Sequence, residues 1–163
     1  MKFYKYQALG NDYIVLNPDD FAAKITKEQV RRICHRNYGL GSDGILYGPT
    51  IVKDADFALR IFNPDGSEAE KSGNGLRIFS RYLFDMKKAG TKPFTISTPG
   101  GIVKSQILQN GRKVTVEMGR ASFDSIKIPV TGPQREVINE EMKIDGQLIK
   151  FSAVTIGNPH CVV

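Results

Sequence analysis

The feature that most constrains this chain is a turn-rich loop followed directly by an amphipathic helix pattern, between positions 62 and 86. Apolar residues after Gly75 recur every three or four positions, which predicts a helix with one buried face. These residues are Leu76, Ile78, Phe79, Tyr82, Leu83 and Met86. Arg81 and Asp85 lie on another face at the spacing of an ion pair, and two lysines followed by Gly90 predict the helix end. We expect the rest of the chain to be organised around this helix.

Small residues crowd the start of the helix. Ser72 can cap it, and Gly73 and Gly75 leave bare backbone for a ligand to approach. The first amides of a helix have no acceptor within the helix and lie at the positive end of its dipole, so they suit a carboxylate or a phosphate. The same pattern also fits an ordinary serine-capped helix after a loop, and the local sequence does not separate the two interpretations.

The rest of the chain alternates short strand patterns with turns. Strands are predicted at 3–6, 13–16, 45–47, 57–61, 94–97, 102–108, 113–118, 151–156 and 161–163, with a further hairpin at 143–148. Thr26 opens a second helix with a capping-box pattern, and this helix carries Val30, Ile33 and Cys34 inward. The weakly periodic, proline-containing segment 120–134 is predicted to cross between domains.

Charge and composition exclude several classes of function. The net charge is +6, but the basic residues are scattered and form no stripe with interleaved aromatics, so nucleic acid is not an expected partner. The glycine-rich loop at 39–44 lacks the lysine and the spacing of nucleotide-binding loops. Neither Cys34 nor Cys161 has metal-ligand spacing or suggests a disulfide framework, so no metal site is expected.

Length and hydropathy indicate a soluble protein with one complete domain. No apolar run is long enough to span a membrane and no secretory leader is apparent, so we expect a cytoplasmic protein with no membrane partner. The 163 residues give room for one domain, or for one domain and part of another. The last strand pattern stops at Val163, which predicts that another chain or a longer protein completes it.

Five short motifs occur in order along the chain. They are Leu9-Gly10-Asn11-Asp12, Gly39-Leu40-Gly41-Ser42-Asp43-Gly44, Phe62-Asn63-Pro64-Asp65-Gly66-Ser67, Gly73-Asn74-Gly75 with Arg77, and Gly157-Asn158-Pro159-His160-Cys161. A single Gly-Asn-Gly carries no information, but the ordered set is specific. Together the motifs make the chain resemble the diaminopimelate epimerase family and its cofactor-independent amino-acid racemase relatives, over nearly the whole chain.

The resemblance implies an α+β fold in which a strongly curved, mostly antiparallel sheet wraps around a central helix. The family has two such domains, so residues 1–118 are expected to form the first domain, and residues 119–163 the crossover and the beginning of a second, truncated one. The helix after Gly75 would then be one of two central helices whose amino ends point at one substrate. The missing half would come from a C-terminal part of the protein or from a partner chain, and a homodimer is compatible with this interpretation.

The implied activity is the epimerisation of LL- to meso-diaminopimelate by two-base proton transfer, in the biosynthesis of lysine and of peptidoglycan precursors. Diaminopimelate is then the expected small-molecule partner, and no cofactor is expected. Removing the α-hydrogen without pyridoxal phosphate builds negative charge onto a carboxylate. Amides and helix dipoles aimed at that carboxylate stabilise the developing charge, provided that water is kept out.

The resemblance also assigns roles to individual residues. The polar contacts to the distal end of the substrate match Asn11, Asn63 and Asn158. The backbone donors to the α-carboxylate match Gly73 and Asn74, and a residue lining the reaction centre matches His160. Asparagine also favours turns, and a loop histidine needs no function, so each of these residues has an ordinary structural explanation as well. Arg77 is left outside the site, because an exposed helix face explains it.

Ser72 stands where the family has its first catalytic thiol. Helix amino ends lower the pKa of a thiol toward neutrality, whereas a serine hydroxyl is a poor base without an activating group, so turnover is expected to be impaired. Three interpretations of Ser72 remain open: an engineered change from cysteine, a relative of the hydroxyproline epimerase or dehydratase type that needs one thiol, and a non-catalytic amino-acid-binding module. The three asparagines favour the epimerase lineage, because they suit a substrate with a polar far end.

Overall fold

A computed structural model describes residues 2–21 and 24–163, which contain eleven β-strands and two α-helices. The backbone separates into two compact units, Met1–Glu117 and Met118–Val163. Within the described residues, neither helix has the length and hydropathy needed to cross a membrane. The assignment of 119–163 to the start of a second, similar domain stays a prediction.

The first unit is a single mixed sheet with two helices. Its strands are β1 (Tyr4–Ala8), β2 (Asn11–Leu16), β3 (Ile45–Thr50), β4 (Phe57–Phe62), β5 (Glu68–Ala69), β6 (Phe94–Thr98), β7 (Gly101–Leu108) and β8 (Lys113–Glu117). The strand order is β1-β2-β3-β4-β6-β7-β8, with β5 paired to β4. Neighbours are antiparallel except for the pairs β2–β3 and β4–β6. The prediction of a mostly antiparallel sheet is therefore confirmed.

Helix α2 (Gly73–Asp85) is the central element of this unit. It packs against β1 and β2 at one end of the sheet and against β7 and β8 at the other, so the sheet curves around it. Its buried side chains are Leu76, Ile78, Phe79, Ser80, Tyr82 and Leu83. This list contains five of the six residues predicted for the apolar face; the sixth, Met86, follows the helix and is only partly buried. Arg81 pairs with Asp85 at 2.9 Å as its spacing predicted.

Helix α1 (Lys27–Cys34) packs against the sheet through a second hydrophobic cluster. The predicted capping box is present, because Thr26 Oγ1 accepts the Gln29 amide at 3.2 Å while the Gln29 side chain accepts the Thr26 amide at 2.9 Å. Cys34 is 3% exposed, which confirms it as a core residue. Burial raises the pKa of its thiol, so Cys34 is kept in the protonated, unreactive form.

The first hairpin is tighter than predicted. The sequence suggested a loop over 8–12, but only Leu9 and Gly10 lie outside the strands, and both have positive φ angles of 53° and 88°. Two consecutive left-handed residues form the hairpin turn whose twist matches that of the flanking strands. As a result, Asn11 and Asp12 are the first residues of β2 and are held by strand pairing.

The predicted end of α2 at Gly90 is wrong. The helix ends at Asp85, and Lys87 takes the left-handed conformation with φ 56°. The Lys88 amide then donates to the Leu83 carbonyl at 2.8 Å, which closes the helix in the manner usual for a left-handed residue after the last turn. The two lysines therefore follow the helix and do not belong to its last turn.

The second unit is a three-stranded antiparallel sheet of β9 (Glu140–Ile144), β10 (Gln147–Thr155) and β11 (Pro159–Val162), in the order β11-β10-β9. The predicted hairpin is confirmed, with its turn at Asp145 and Gly146. The segment predicted as a crossover belongs to this unit, because Ile128 is buried in a small core with Val137 and Ala153. The predicted break at 157–160 is shorter, since strand pairing resumes at Pro159.

Replacing Phe79 by alanine tests the central position of α2. Phe79 is fully buried and stacks on Tyr82, so Phe79→Ala should lower the free energy of unfolding by about 3–5 kcal/mol through lost burial and a residual cavity. The measurement is urea unfolding followed by circular dichroism. Phe3→Ala is the matched control, because Phe3 is 40% exposed, and it should cost about 1 kcal/mol or less. Equal costs for the two variants would contradict this description of the core.

Candidate functional site

The amino end of α2 has a serine cap and two free amides. Ser72 is the N-cap residue, and its Oγ accepts the Gly75 amide at 3.0 Å. The Leu76 amide donates to the Ser72 carbonyl at 2.8 Å. Within the described residues, the Gly73 and Asn74 amides have no protein acceptor, because helix geometry offers none to the first turn. The predicted cap is therefore confirmed, and two of the three expected amides remain for a ligand.

The two glycines of this turn differ in what surrounds them. A Cβ on Gly75 would lie 3.1 Å from Leu46 Cδ2 and 3.2 Å from Ser72 Oγ, so Gly75 allows close packing of the helix start against β3. A Cβ on Gly73 would meet only Arg77 Nη2, at 3.6 Å. Gly73 therefore forms the open face of the turn, and Gly75 belongs to its packed side.

Ser72 has a second polar neighbour that the sequence did not identify. The Tyr13 hydroxyl lies 3.3 Å from Ser72 Oγ, within hydrogen-bond range, and Tyr13 is 8% exposed. A Cβ on Gly44 would lie 2.7 Å from the Tyr13 ring, so this glycine makes room for the tyrosine. The only signal in the sequence is one phenol at the start of an otherwise apolar strand segment, Tyr13 to Leu16.

Asn11 and Asn74, both predicted site residues, are in direct contact. Asn74 Nδ2 donates to Asn11 Oδ1 at 2.8 Å, although the two residues are 63 positions apart. Asn11 Nδ2 donates in turn to Asp43 Oδ2 at 3.1 Å, and Arg77 Nη1 donates to Asn74 Oδ1 at 2.8 Å. Arg77, which the sequence analysis left outside the site, therefore contacts it directly.

A small ion-pair network lies next to these asparagines. Asp12 is bound by Arg36 at 2.7 Å and by Lys5 at 3.0 Å, and Arg36 also bridges to Asp43 at 2.7 Å. The hydrogen bond from Arg36, together with that from Lys5, holds the pKa of Asp12 well below its usual range and outweighs the effect of burial. The network fixes the start of β2 against the loop 39–44.

The remaining predicted residues are Asn63, which makes a separate set of hydrogen bonds, and two residues of the second unit. Asn63 donates through Nδ2 to Ser67 Oγ at 2.9 Å and through its amide to the Ser67 carbonyl at 2.9 Å, as expected of a turn asparagine. Within the described residues, no hydrogen bond links Asn63 to Asn11 or Asn74. Asn158 and His160 belong to the second unit, where both are exposed and His160 pairs with Val154 across β10 and β11. Their predicted roles remain predictions.

The chemistry that this arrangement supports is capture of an anion. Two amides at a helix amino end, with the Arg77 guanidinium beside Gly73, make a positive position suited to a carboxylate. No group of three or more His, Cys, Asp or Glu side chains able to hold a metal ion occurs in residues 2–21 and 24–163.

Comparison with known proteins shows the family. The sequence profile of diaminopimelate epimerase matches residues 3–124. The chain belongs to the diaminopimelate epimerase family. It is 63% identical over 163 residues to "Diaminopimelate epimerase 2" of a Nostoc species, covering 100% of the chain and 57% of that protein. It is 40% identical over 167 residues to the chloroplastic diaminopimelate epimerase of Oryza sativa subsp. japonica, covering 99% of the chain and 47% of that protein.

Solved structures agree on the fold of this diaminopimelate epimerase family member. A probable proline racemase from Agrobacterium radiobacter superposes with a TM-score of 0.69 at 17% identity, over 98% of the chain and 50% of that protein. A hydroxyproline epimerase from Agrobacterium vitis gives a TM-score of 0.69 at 16% identity, with the same coverage. These likenesses show the fold alone. The chain spans about half the length of the curated relatives that it matches.

Removing the Ser72 hydroxyl tests its role as the helix cap. Ser72→Ala should lower the free energy of unfolding by about 1 kcal/mol, because the Gly75 amide loses its acceptor. Urea unfolding measures this cost. Thr26→Ala removes the equivalent cap of α1 and should cost a similar amount, while Tyr13→Phe keeps the α2 cap and should cost less. If Ser72→Ala left the free energy of unfolding unchanged while Thr26→Ala lowered it, the assignment of Ser72 as the cap would be refuted.

The lowered pKa of Asp12 predicts a loss of stability in acid. Its folded pKa lies below the unfolded value of about 3.9, so its contribution is present above that pH and is lost as pH falls toward the folded pKa. Because Arg36 and Lys5 are about half exposed, this contribution should be about 1 kcal/mol. When the pH is lowered from about 6 to about 3, the free energy of unfolding should therefore fall less in Asp12→Asn than in the parent chain. An identical acid loss in both proteins would contradict the assignment.

Proposed function

We propose that the protein containing this chain epimerises diaminopimelate, LL to meso, without a cofactor. The observation that carries the proposal is the pair of unpartnered amides, Gly73 and Asn74, at the amino end of α2 in a member of the diaminopimelate epimerase family. The reaction takes the α-hydrogen from one face of the carbon and returns a proton to the opposite face. The α-carbon then has the inverted configuration, and no other bond changes.

The free amides meet the main energetic demand of this reaction. When the α-hydrogen leaves as a proton, its electron pair delocalises into the adjacent carboxylate, which gains negative charge. Fixed N–H donors aimed at that carboxylate stabilise the charge without having to reorganise, and they are most effective where water is excluded. We assign Gly73 and Asn74 to this task through their backbone amides.

Side chains are assigned the remaining contacts to the substrate. Asn11 lies one hydrogen bond from Asn74, which suits a contact to another part of the same bound amino acid. We assign Asn63 and Asn158 to the distal end of the substrate as well, and His160 to the lining of the reaction centre. The second acid–base group would come from a part of the protein that lies outside this chain or from a partner chain. A homodimer and a cytoplasmic location stay predictions.

Ser72 limits what this chain contributes to proton transfer. Its oxygen already accepts the Gly75 amide and lies against the Tyr13 hydroxyl, and no stronger base contacts it in the described residues. A serine hydroxyl in these surroundings can donate a hydrogen bond but is a weak proton acceptor. We therefore propose slow turnover with Ser72. The same observation favours a second candidate function, a non-catalytic module that binds an amino acid at the helix end.

Exchange of the substrate α-hydrogen with solvent deuterium tests the two candidates. The protein encoded by the complete reading frame is incubated with diaminopimelate in deuterium oxide, as the parent and as Ser72→Cys, and loss of the α-proton is followed by NMR. We expect Ser72→Cys to exchange at least about a hundredfold faster than the parent, because a thiolate restores the missing base.

The control for this experiment is Ser72→Ala, which removes the hydroxyl and supplies no thiol. It should exchange no faster than the parent. Binding of diaminopimelate by all three proteins without any exchange would support the binding module and reject the epimerase.

A further inference from the structure

We propose that Arg77 and Asp43 are positioning residues that fix the side-chain amides of Asn74 and Asn11 in one orientation. The proposal rests on the proposed function, since it concerns the same helix end and adds two residues to it. Four side chains form one continuous hydrogen-bond chain, Arg77 to Asn74 to Asn11 to Asp43, with steps of 2.8, 2.8 and 3.1 Å.

The two ends of the chain dictate its direction. A guanidinium has only donors, so Asn74 must turn its oxygen toward Arg77 and is left with its NH₂ group for Asn11. An ionised carboxylate only accepts, so Asn11 must turn its NH₂ group toward Asp43. Each asparagine satisfies both neighbours in one orientation only. Rotating either amide by half a turn would oppose donor to donor on one side and acceptor to acceptor on the other.

The Asp43 end is itself held in place, and the Arg77 end is partly buried. Arg77 lies one turn after Asn74 on α2, and its second terminal nitrogen lies 3.6 Å from the position of a Cβ on Gly73. Asp43 accepts the Asp12 amide at 3.1 Å and donates its own amide to the Asp12 carbonyl at 2.8 Å. The chain thus ties the start of α2 to the start of β2 and to the loop 39–44, three segments that are distant in sequence.

This order has a consequence for ligands. Each carboxamide has two N–H donors and uses one of them inside the chain, so Asn11 and Asn74 each keep one N–H in a fixed orientation. Together with the free backbone amide of Asn74, these two N–H groups form a set of hydrogen-bond donors at one end of the site. Such a group selects a ligand with acceptor oxygens, such as an amino-acid carboxylate. Breaking one end leaves the direction of the chain set only by the other end, so the amides are held less firmly. Breaking both ends leaves the two amides free to reverse together, and the donor group loses its order.

Nitrogen-15 NMR of the complete protein, without ligand, is the first test. In the parent, one N–H of each carboxamide should be shifted and protected by its hydrogen bond. Arg77→Met should weaken this protection at Asn74, whose oxygen loses its donor, and Asp43→Ala should abolish it at Asn11, whose N–H loses its acceptor. Arg77→Lys keeps a donor and should retain it. Protection unchanged in both Arg77→Met and Asp43→Ala would overturn the proposal, whether or not the protein binds diaminopimelate.

Matched controls separate positioning from general effects of charge and stability. Arg81→Met removes an arginine from the next turn of α2, where it pairs with Asp85. Asp85→Ala removes the carboxylate that pairs with Arg81, away from the start of β2. Neither residue is a member of the chain, so both controls should leave the carboxamide signals of Asn11 and Asn74 in place.

Calorimetric binding of diaminopimelate is the second test. Arg77→Met and Asp43→Ala should each raise Kd about tenfold, the cost of one hydrogen bond with a charged partner. The double variant should raise Kd by more than the product of the two effects, because either end alone still sets the direction of the chain and only the double variant leaves it free to reverse. The two controls should change Kd by about twofold or less. A fully multiplicative double variant would overturn the proposal, while a parent that does not bind diaminopimelate would reject the proposed function and leave the NMR result to decide on positioning.

Discussion

The hydrogen bond from the Gly75 amide to Ser72 Oγ decides what the amino end of α2 can do. It consumes one donor of the first turn and leaves the two before it free for a ligand. In the proposed function, the residue at position 72 must therefore cap the helix and also take part in proton transfer. Serine is among the residues best suited to cap a helix, whereas the family's thiol is suited to proton transfer. Under the proposed function, this chain makes the cap with good geometry and lacks the base.

Two glycines near this turn allow close packing of the backbone around the start of α2. Gly75 admits the helix start against β3, and Gly44 admits the ring of Tyr13 beside the cap. The curved sheet contacts α2 from both of its ends, so the helix cannot shift without disturbing β1 and β8 together. A charge-stabilising site needs donors that do not move during the reaction, and a helix enclosed by its own sheet provides them.

Local sequence rules predicted the elements well and the contacts between them poorly. The buried face of α2, the capping box at Thr26 and the turn at Asp145 depend on neighbours within a few positions, and each was confirmed. The helix end was missed because Lys87 takes a left-handed conformation that its side chain does not favour. The contact of Asn74 with Asn11 spans 63 positions, so no periodicity could reveal it. The resemblance supplied both residues but not the bond between them.

The two-residue turn at Leu9 and Gly10 has a consequence for how sequences of this kind can change. It sets which residue of β2 faces which residue of β1, with Ala8 opposite Asn11. Side chains alternate between the two faces of a strand. If one residue were inserted in the turn and the pairing of β2 with β1 shifted by one position, the Asn11 amide would point away from Asn74. The length of this hairpin therefore determines whether the Asn11–Asn74 contact can form, so an insertion here would cost more than one in a loop that orients no polar side chain.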